Sequence, residues 1–249
     1  MLPDFSWIQW AAAALAALGI GVSKSGLPGI SLLHVLIFAH LFPGAATTGV
    51  VLPMLVCGDI GAVLLFRRHA RWYYVFRTIP PALVGVVAGW MILRSFPGMH
   101  FHPVIGSIVL VLAVLQLVRT WKPGLFTNLP HTLGFAWGMG LSAGLTTMLA
   151  NAAGPVMGLY LLAVELPKAE FVGTSAWFFL IMNVLKIPFS LQLGFITPAT
   201  LLFNLLLLPG IIAGLFLGKW LIPRIPQKWF DTLILLFALM AAGRLLTSK

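Results

Sequence analysis

The sequence predicts an all-α integral membrane protein built from two inverted repeats, each a broken helical hairpin followed by three transmembrane helices, with about 8 to 10 membrane segments in all. Three observations support this fold class. The 249 residues are 60% hydrophobic and only 8% charged, against about 25% charged in soluble domains. Long apolar runs alternate with short loops, and polar breaks recur at matching places in the two halves of the chain. A soluble domain of any size is excluded, because the charged residues are too few to cover a surface that faces water.

The apolar runs define the membrane segments in order. Two of them, 27–42 and 152–164, are short, and each follows a break rich in Gly, Ser, Thr, Asn or Pro, at 21–29 and 146–155. Backbone that is not helical is tolerated at membrane depth only where protein or a water-filled cavity surrounds it. We therefore expect both breaks to face a cavity. The runs lie at about 5–22, 27–42, 45–66, 78–93, 104–118, 132–149, 152–164, 171–195, 198–221 and 230–246.

The two halves of the chain show a weak internal repeat. Gly49 and Gly173 begin comparable stretches, and Asp59 and Asn183 follow them at the same distance, so that both pairs are offset by 124 residues. We predict a first membrane repeat at 1–119, a basic connecting loop at 120–130 and a second membrane repeat at 131–249.

Positive charge predicts the orientation. The formal net charge is +10, and the basic residues sit in short loops, which favours membrane orientation over nucleic-acid binding. The cluster Arg67–Arg71 is predicted to be cytoplasmic, with Lys168 and Arg224 on the same side. Each broken hairpin must then enter and leave on one side, which inverts the halves. We expect a multi-pass protein of the cytoplasmic (inner) membrane whose first segment is retained.

Lys24 is the most informative single residue. It lies in the first break, with apolar sequence on both sides and no acidic residue near it in the chain. A lysine at the bilayer centre costs about 2.5–3.5 kcal/mol on insertion scales, so a bound anion would offset its charge. The helix restarting near residue 27 would add free N–H groups. A lysine that snorkels to the interface is the alternative. The predicted substrate-binding residues of this break are Ser23, Lys24, Ser25, Gly26 and Gly29.

The second break supplies neutral hydrogen-bonding groups, from Thr146, Thr147 and Asn151. Opposed to the first break across an inverted interface, these side chains would complete an anion pocket. The alternative is helix packing, which small polar residues often serve in membranes.

Asp59 and Lys186 are the other charges within apolar segments. Lys186 lies one helical turn beyond Asn183, the residue equivalent to Asp59. We expect an ion pair between Asp59 and Lys186 across the two halves, since pairing lowers the cost of burying both charges. Transfer of a coupling proton by Asp59 is the alternative.

No cofactor or metal site is predicted. Cys57 is the single cysteine, which excludes a disulfide framework and a site of several thiolates. His34 and His40 have no metal-ligand spacing and are interpreted as packing or interfacial residues.

The chain resembles the TauE/SafE family of membrane exporters, also described as sulfite or sulfonate permeases. The resemblance rests on residues 21–29, 146–155 and 172–186, and on Asp59 followed by the Arg67–Arg71 loop. It implies a duplicated bundle that moves sulfur-containing anions across the cytoplasmic membrane, and a homodimer. We assign a coupling or supporting role to Asp59, Thr174, Asn183 and Lys186.

The sequence thus predicts a secondary transporter that exports small anions, with a proton or another ion as coupling partner and no nucleic-acid partner. Inverted repeats with discontinuous helices are typical of secondary transporters. Two other classes stay open. An intramembrane enzyme acting on a lipid-linked substrate would need several acids or bases in one cavity, and Asp59 is the single deep carboxylate. A membrane scaffold subunit would not need lysines within its apolar segments.

Overall fold

The computed structural model describes residues 5–26, 46–96 and 131–247, together with single residues within 34–42 and 107–121. These ranges form helices joined by short turns, without strands, which confirms the all-α class. Short 3₁₀ turns follow the second and seventh helices, at Arg67–His69 and Ile222–Arg224. The helices of the described ranges are α1 Trp7–Ser25, α2 Ala46–Phe66, α3 Trp72–Ser95, α4 Leu133–Ala150, α5 Ala153–Ala163, α6 Lys168–Gln192, α7 Pro198–Leu221 and α8 Gln227–Thr247.

Five segments of the described chain are long and apolar enough to cross a membrane, which makes this a multi-pass membrane protein. Several contain internal prolines, including Pro53, Pro188 and Pro209, which membrane helices tolerate when neighbouring groups satisfy the freed carbonyls. Helix α5 is apolar but shorter. The five segments are Thr47–His69, Trp72–Ser95, Leu133–Ala150, Lys168–Gln192 and Pro198–Arg224.

Two tightly packed helix pairs flank the centre of the molecule, α1 with α7 and α3 with α4. Glycines allow their backbones to touch: a Cβ on Gly21 would overlap the Ile211 carbonyl, and one on Gly144 would overlap the Ala82 carbonyl. Small residues bring membrane helices together in this way. Adding 124 to the bounds of α1 gives 131–149, close to α4, and subtracting 124 from those of α7 gives 74–97, close to α3. The two pairs therefore occupy equivalent positions of the predicted repeat.

Helices α2 and α6 cross antiparallel between these pairs. Gly49, near the start of α2, packs against Phe195, just beyond the end of α6. Gly173, near the start of α6, lies against the backbone of Phe66 and Ala70, where α2 ends. Gly49 and Gly173 are the two glycines predicted to be equivalent, and their reciprocal contacts are those expected of an inverted repeat. The repeat boundaries at 119 and 131 stay a prediction.

Apolar side chains pack in two clusters. One lies among α1, α2 and α7 and includes Phe203, and the other lies among α3, α4, α5, α6 and α8 and includes Tyr160. The α2–α6 crossing separates them. Polar side chains in this crossing are therefore enclosed by apolar packing on both sides.

The basic loops meet at one end of the molecule, as the charge pattern predicts. Arg71 donates two hydrogen bonds to the Glu170 carboxylate, at 2.6 and 2.7 Å. Lys168 Nζ donates to the Ile225 carbonyl at 2.6 Å. The α2–α3 loop, the start of α6 and the α7–α8 turn are thereby joined.

Candidate functional site

Four buried polar side chains meet where the last turn of α1 crosses the middle of α2 and α6. They are Lys24 from α1, Asp59 from α2, and Asn183 and Lys186 from α6. Asp59 and Lys186 are fully buried, and the Lys24 side chain is 9% exposed. Charged side chains are this deeply buried only when partners compensate them, so the contacts among these residues decide what the site does.

Asp59 is the centre of this group. Lys24 Nζ forms an ion pair with Asp59 Oδ1 at 2.7 Å, and Asn183 Nδ2 donates to Asp59 Oδ2 at 2.7 Å. The expected ion pair between Asp59 and Lys186 was therefore wrong. Asn183 occupies the second carboxylate oxygen, and Lys186, three residues further along α6, reaches instead toward the end of α4. Lys24 has no acidic residue near it in the chain, and its carboxylate partner, Asp59, comes from another helix.

Lys186 is held by neutral acceptors. Its Nζ donates to Asn151 Oδ1 at 2.6 Å and to Thr147 Oγ1 at 3.0 Å, with a longer contact to Asn183 Oδ1 at 3.5 Å. Three acceptors match the three protons of an ammonium group. Among the described residues, no carboxylate forms a salt bridge with Lys186.

Asn151 fixes the end of α4 beside these lysines. It is the C-cap of α4 in the left-handed conformation, with φ of 52°, which Asn adopts more readily than most residues. Its Nδ2 donates to the Thr48 carbonyl of α2 at 3.0 Å. The second break thus turns the chain from α4 into α5 and ties that turn to the first repeat.

A small cavity adjoins the cluster. Its volume is about 20 Å³, enough for one or two water molecules. Lys24 lines it, whereas Asp59 and Lys186 lie behind its wall. Lys24 Nζ also sits 4.4 Å from the centre of the Phe179 ring, a cation–π distance. The lining residues are Ser23, Lys24, His34, Leu55, Thr147, Asn151, Ala153, Gly154, Ser175, Phe179 and Asn183.

The first turn of α5 forms part of that lining. Helix α5 begins at Ala153, and Ala153 and Gly154 both face the cavity. The first N–H groups of a helix have no partner within it, and the helix dipole is positive at this end. With two lysines and one aspartate, the formal charge of the cluster is +1. Cavity, dipole and cluster charge all favour an anion.

The structure brings together five of the predicted substrate-binding and supporting residues at the cavity: Ser23, Lys24, Thr147, Asn151 and Asn183. Asp59 and Lys186 stand behind them. One local expectation differs. Helix α1 continues through Ser25, so Lys24 lies in its last turn and not in a loop between helices.

Other predicted residues lie elsewhere or use their polar groups elsewhere. Ser25 Oγ donates to the Gly21 carbonyl at 2.9 Å, and Thr146 Oγ1 donates to the Ser142 carbonyl at 2.8 Å. Gly26 ends α1 against Ile222. Thr174 accepts a hydrogen bond from the backbone N–H of Arg71 at 2.9 Å, in the basic loop. Gly29 lies outside the described residues.

Six lining residues were missed as site residues: His34, Leu55, Ala153, Gly154, Ser175 and Phe179. Ser175 and Phe179 precede Asn183 by eight and four residues on α6, so the face of the helix that carries Asn183 would have indicated both. Gly154 lies in the first turn of α5, which begins at Ala153, and this helix start brings it to the cavity. His34, expected to be a packing or interfacial residue, is 1% exposed and lines the cavity, which no sequence spacing indicates.

Fold and site together define a polytopic membrane protein, with α2 and α6 crossing antiparallel at its centre and a cluster of two lysines and one aspartate beside the crossing. The family model described as Sulfite exporter TauE/SafE matches residues 13–245. The chain therefore belongs to this family of membrane transporters for sulfite and related sulfur anions. No curated protein and no solved structure matches the chain. Among the described residues, no group of three His, Cys, Asp or Glu side chains is placed to hold a metal ion.

Proposed function

We propose that the protein is a secondary transporter that exports a small sulfur-containing or organic anion, such as sulfite or a sulfonate, across the cytoplasmic membrane. The observation that carries this proposal is the buried cluster of Lys24, Lys186 and Asp59 beside a cavity at the crossing of α2 and α6. The cluster has one excess positive charge, and an unpaired charge is costly in a dry interior. A bound anion compensates this charge, so anion binding is favoured.

Lys24 is the cationic group that contacts the anion in this proposal. Its partners among the described residues are one oxygen of Asp59 and the face of Phe179, and an ammonium group has three protons to donate. The N–H groups at the start of α5 supply further donors. Lys186 acts through Thr147 and Asn151, which it orients from behind the cavity wall.

Alternating access around this site follows from its position. The contacts of Asn183 with Asp59 and of Asn151 with Thr48 cross between the two predicted repeats, whereas the Lys24–Asp59 pair lies within the first. Rocking of one repeat against the other would expose the site to each side in turn. The membrane potential favours outward movement of an anion by about 2.3 kcal/mol per charge per 100 mV, which supports export.

Transport by proteoliposomes tests the proposal. Purified protein is reconstituted, and uptake of labelled sulfite and a panel of sulfonates is compared between the native chain, Lys24→Gln and Lys219→Gln. Lys219 is an exposed lysine in the last turn of α7 and controls for loss of a positive charge. We expect saturable uptake that Lys24→Gln lowers at least about tenfold and Lys219→Gln preserves. Normal uptake by Lys24→Gln at equal reconstitution would remove Lys24 from the site.

No observation favours an intramembrane enzyme or a scaffold subunit over a transporter. Asp59 is the one carboxylate among the buried polar residues of the described chain. Its two oxygens face Lys24 and Asn183. Acid–base chemistry needs a carboxyl group that reaches a substrate atom, and Asp59 lies behind the cavity wall.

A further inference from the structure

The charges around the cavity set a limit on the charge of the anion. Lys24 and Lys186 carry two positive charges, and Asp59 carries one negative charge. All three are buried, and their formal sum is +1. A monovalent anion brings that sum to zero, whereas a divalent anion leaves one uncompensated negative charge, which a dry interior strongly disfavours.

We infer that the site accepts a monovalent oxyanion alone and a divalent oxyanion only together with one proton, which Asp59 carries through the membrane. This inference rests on the proposed function and adds to it the charge state of the substrate and the coupling ion. In the divalent case the loaded site holds two ammonium groups, one neutral carboxylic acid and one dianion, and its formal charge is again zero.

Asp59 is the proton carrier because of its contacts. Its Oδ1 faces the same Lys24 ammonium that faces the cavity, so the carboxylate and the substrate compete for one cation. A proton on Asp59 weakens its hold on Lys24 and frees that ammonium for the dianion. Asn183 keeps Oδ2 in place throughout. The proton enters from one side and leaves Asp59 on the other side, after the dianion is released.

The other groups around Asp59 leave two competing proton carriers to exclude, Lys186 and His34. Lys24 comes from α1, and Asn183 and Lys186 come from α6, with Thr147 and Asn151 of α4 bound to Lys186. Helix α7 also packs on α2, and its one charged residue, Lys219, is exposed in the last turn. On α2 itself, Cys57 is exposed. His34, which lines the cavity, and Lys186, which is held by neutral acceptors, are the titratable groups that the experiment must separate from Asp59.

Two anions of fixed charge provide the test. Methanesulfonate stays monovalent and thiosulfate stays divalent across the neutral pH range. The native protein is reconstituted with a pH-sensitive dye trapped inside the vesicles, and the uptake of each anion is measured together with internal acidification under a clamped membrane potential. We expect thiosulfate to carry one proton and one net negative charge per turnover. Above neutral pH, its uptake should fall up to about tenfold per pH unit. Methanesulfonate should carry no proton.

The variants assign the proton to its carrier. Asp59→Asn fixes the cluster at +2, so thiosulfate should move without a proton and with two net negative charges, and methanesulfonate uptake should fall at least about tenfold. Asp59→Glu should retain proton movement, and so should His34→Gln. Proton movement kept in Asp59→Asn would overturn the assignment, in favour of His34 if His34→Gln loses it and of Lys186 if His34→Gln retains it.

Measurements on the native protein alone distinguish failure of this inference from failure of the proposed function, even if a variant fails to fold. If both anions move with the same proton count, the inference is wrong and the proposed transport of anions stands. If neither anion of this panel nor sulfite moves under any gradient, the proposed function fails, and this inference fails with it.

Discussion

Asp59 and Asn183 lie 124 residues apart at equivalent positions of the two predicted repeats, and they touch: the Asn183 amide nitrogen donates to Asp59 Oδ2 at 2.7 Å. In the predicted inverted repeat, two equivalent residues that touch would lie close to the axis relating the halves. Transporters with inverted repeats bind their substrates at the interface of the repeats, so this contact is consistent with the proposed site. At this point the repeats differ by a carboxylate in one and an amide in the other, and that difference sets the charge of the cluster.

Changing Asn183 to aspartate tests the importance of that difference. Asn183→Asp places two carboxyl groups in contact. Such a pair either shares a proton or, when both groups are ionised, lowers the formal charge of the cluster from +1 to zero. We expect uptake of a monovalent sulfonate to fall at least about tenfold when both are ionised at alkaline pH, and to recover in part at acid pH. Asn183→Ser, which removes the amide without adding charge, is the control. Equal pH profiles for the two variants would contradict the prediction.

A double substitution separates two roles of Lys24. Lys24→Gln alone leaves Asp59 without its ion-pair partner, which destabilises a buried charge. The double variant Lys24→Gln with Asp59→Asn removes both charges. Lys186 then carries the one remaining charge, so the formal charge of the cluster is +1, as in the native protein. We expect the double variant to recover thermal stability but not transport, because the donor that contacts the anion is still missing. Recovery of sulfonate uptake would show that Lys24 serves only to neutralise Asp59.

The sequence predicted most of the residues of this site but not their partners. Lys24, Asp59, Asn183 and Lys186 were identified because charged or polar groups within apolar segments are costly and need a reason. Periodicity fixes which face of a helix a residue occupies, whereas the partner of that face depends on how helices pack in three dimensions. The wrong pairing of Asp59 with Lys186 came from this limit, since the crossing of α1 over α2 cannot be deduced from spacing.

Hydroxyl groups show a second limit of the sequence. Ser25 and Thr146 were predicted to bind substrate, yet both donate to carbonyls of their own helices. Serine and threonine have this alternative in any helix, and the sequence does not indicate which one they take. Thr147, one residue further along α4, points to Lys186 instead, because successive helical residues face directions about 100° apart.

The helix pairs predict which glycines tolerate a side chain. A methyl group at Gly144 would overlap the backbone carbonyl of Ala82 on α3, whereas nothing lies within 4 Å of a Cβ at Gly138 on the same helix. Gly144→Ala should therefore lower the free energy of unfolding by about 1–3 kcal/mol, the range typical of overpacked sites. Gly138→Ala should leave it unchanged or raise it slightly, since alanine favours the helix. Unfolding in detergent measures both, and equal stability of the two variants would contradict the close α3–α4 packing.

The basic end of the molecule gives the last prediction. Arg71 and Glu170 join the α2–α3 loop to the start of α6, and thus one predicted repeat to the other. The hydrogen bonds and charge of the Glu170 carboxylate raise the pKa of Arg71, so the guanidinium stays charged. If the repeats separate at this end in each transport cycle, the pair must break. Because exposed ion pairs contribute little, its removal should change rates only a few-fold.

Glu170→Gln should therefore raise the maximum rate of sulfonate uptake a few-fold and leave the KM unchanged, since the pair lies outside the cavity. Higher salt screens the ion pair, so it should raise the maximum uptake rate of the native protein toward that of the variant. The exchange Arg71→Glu with Glu170→Arg, which restores opposite charges, should return the native rate. An unchanged maximum rate in Glu170→Gln at low salt would show that this end stays closed during the cycle or that the pair does not limit its opening.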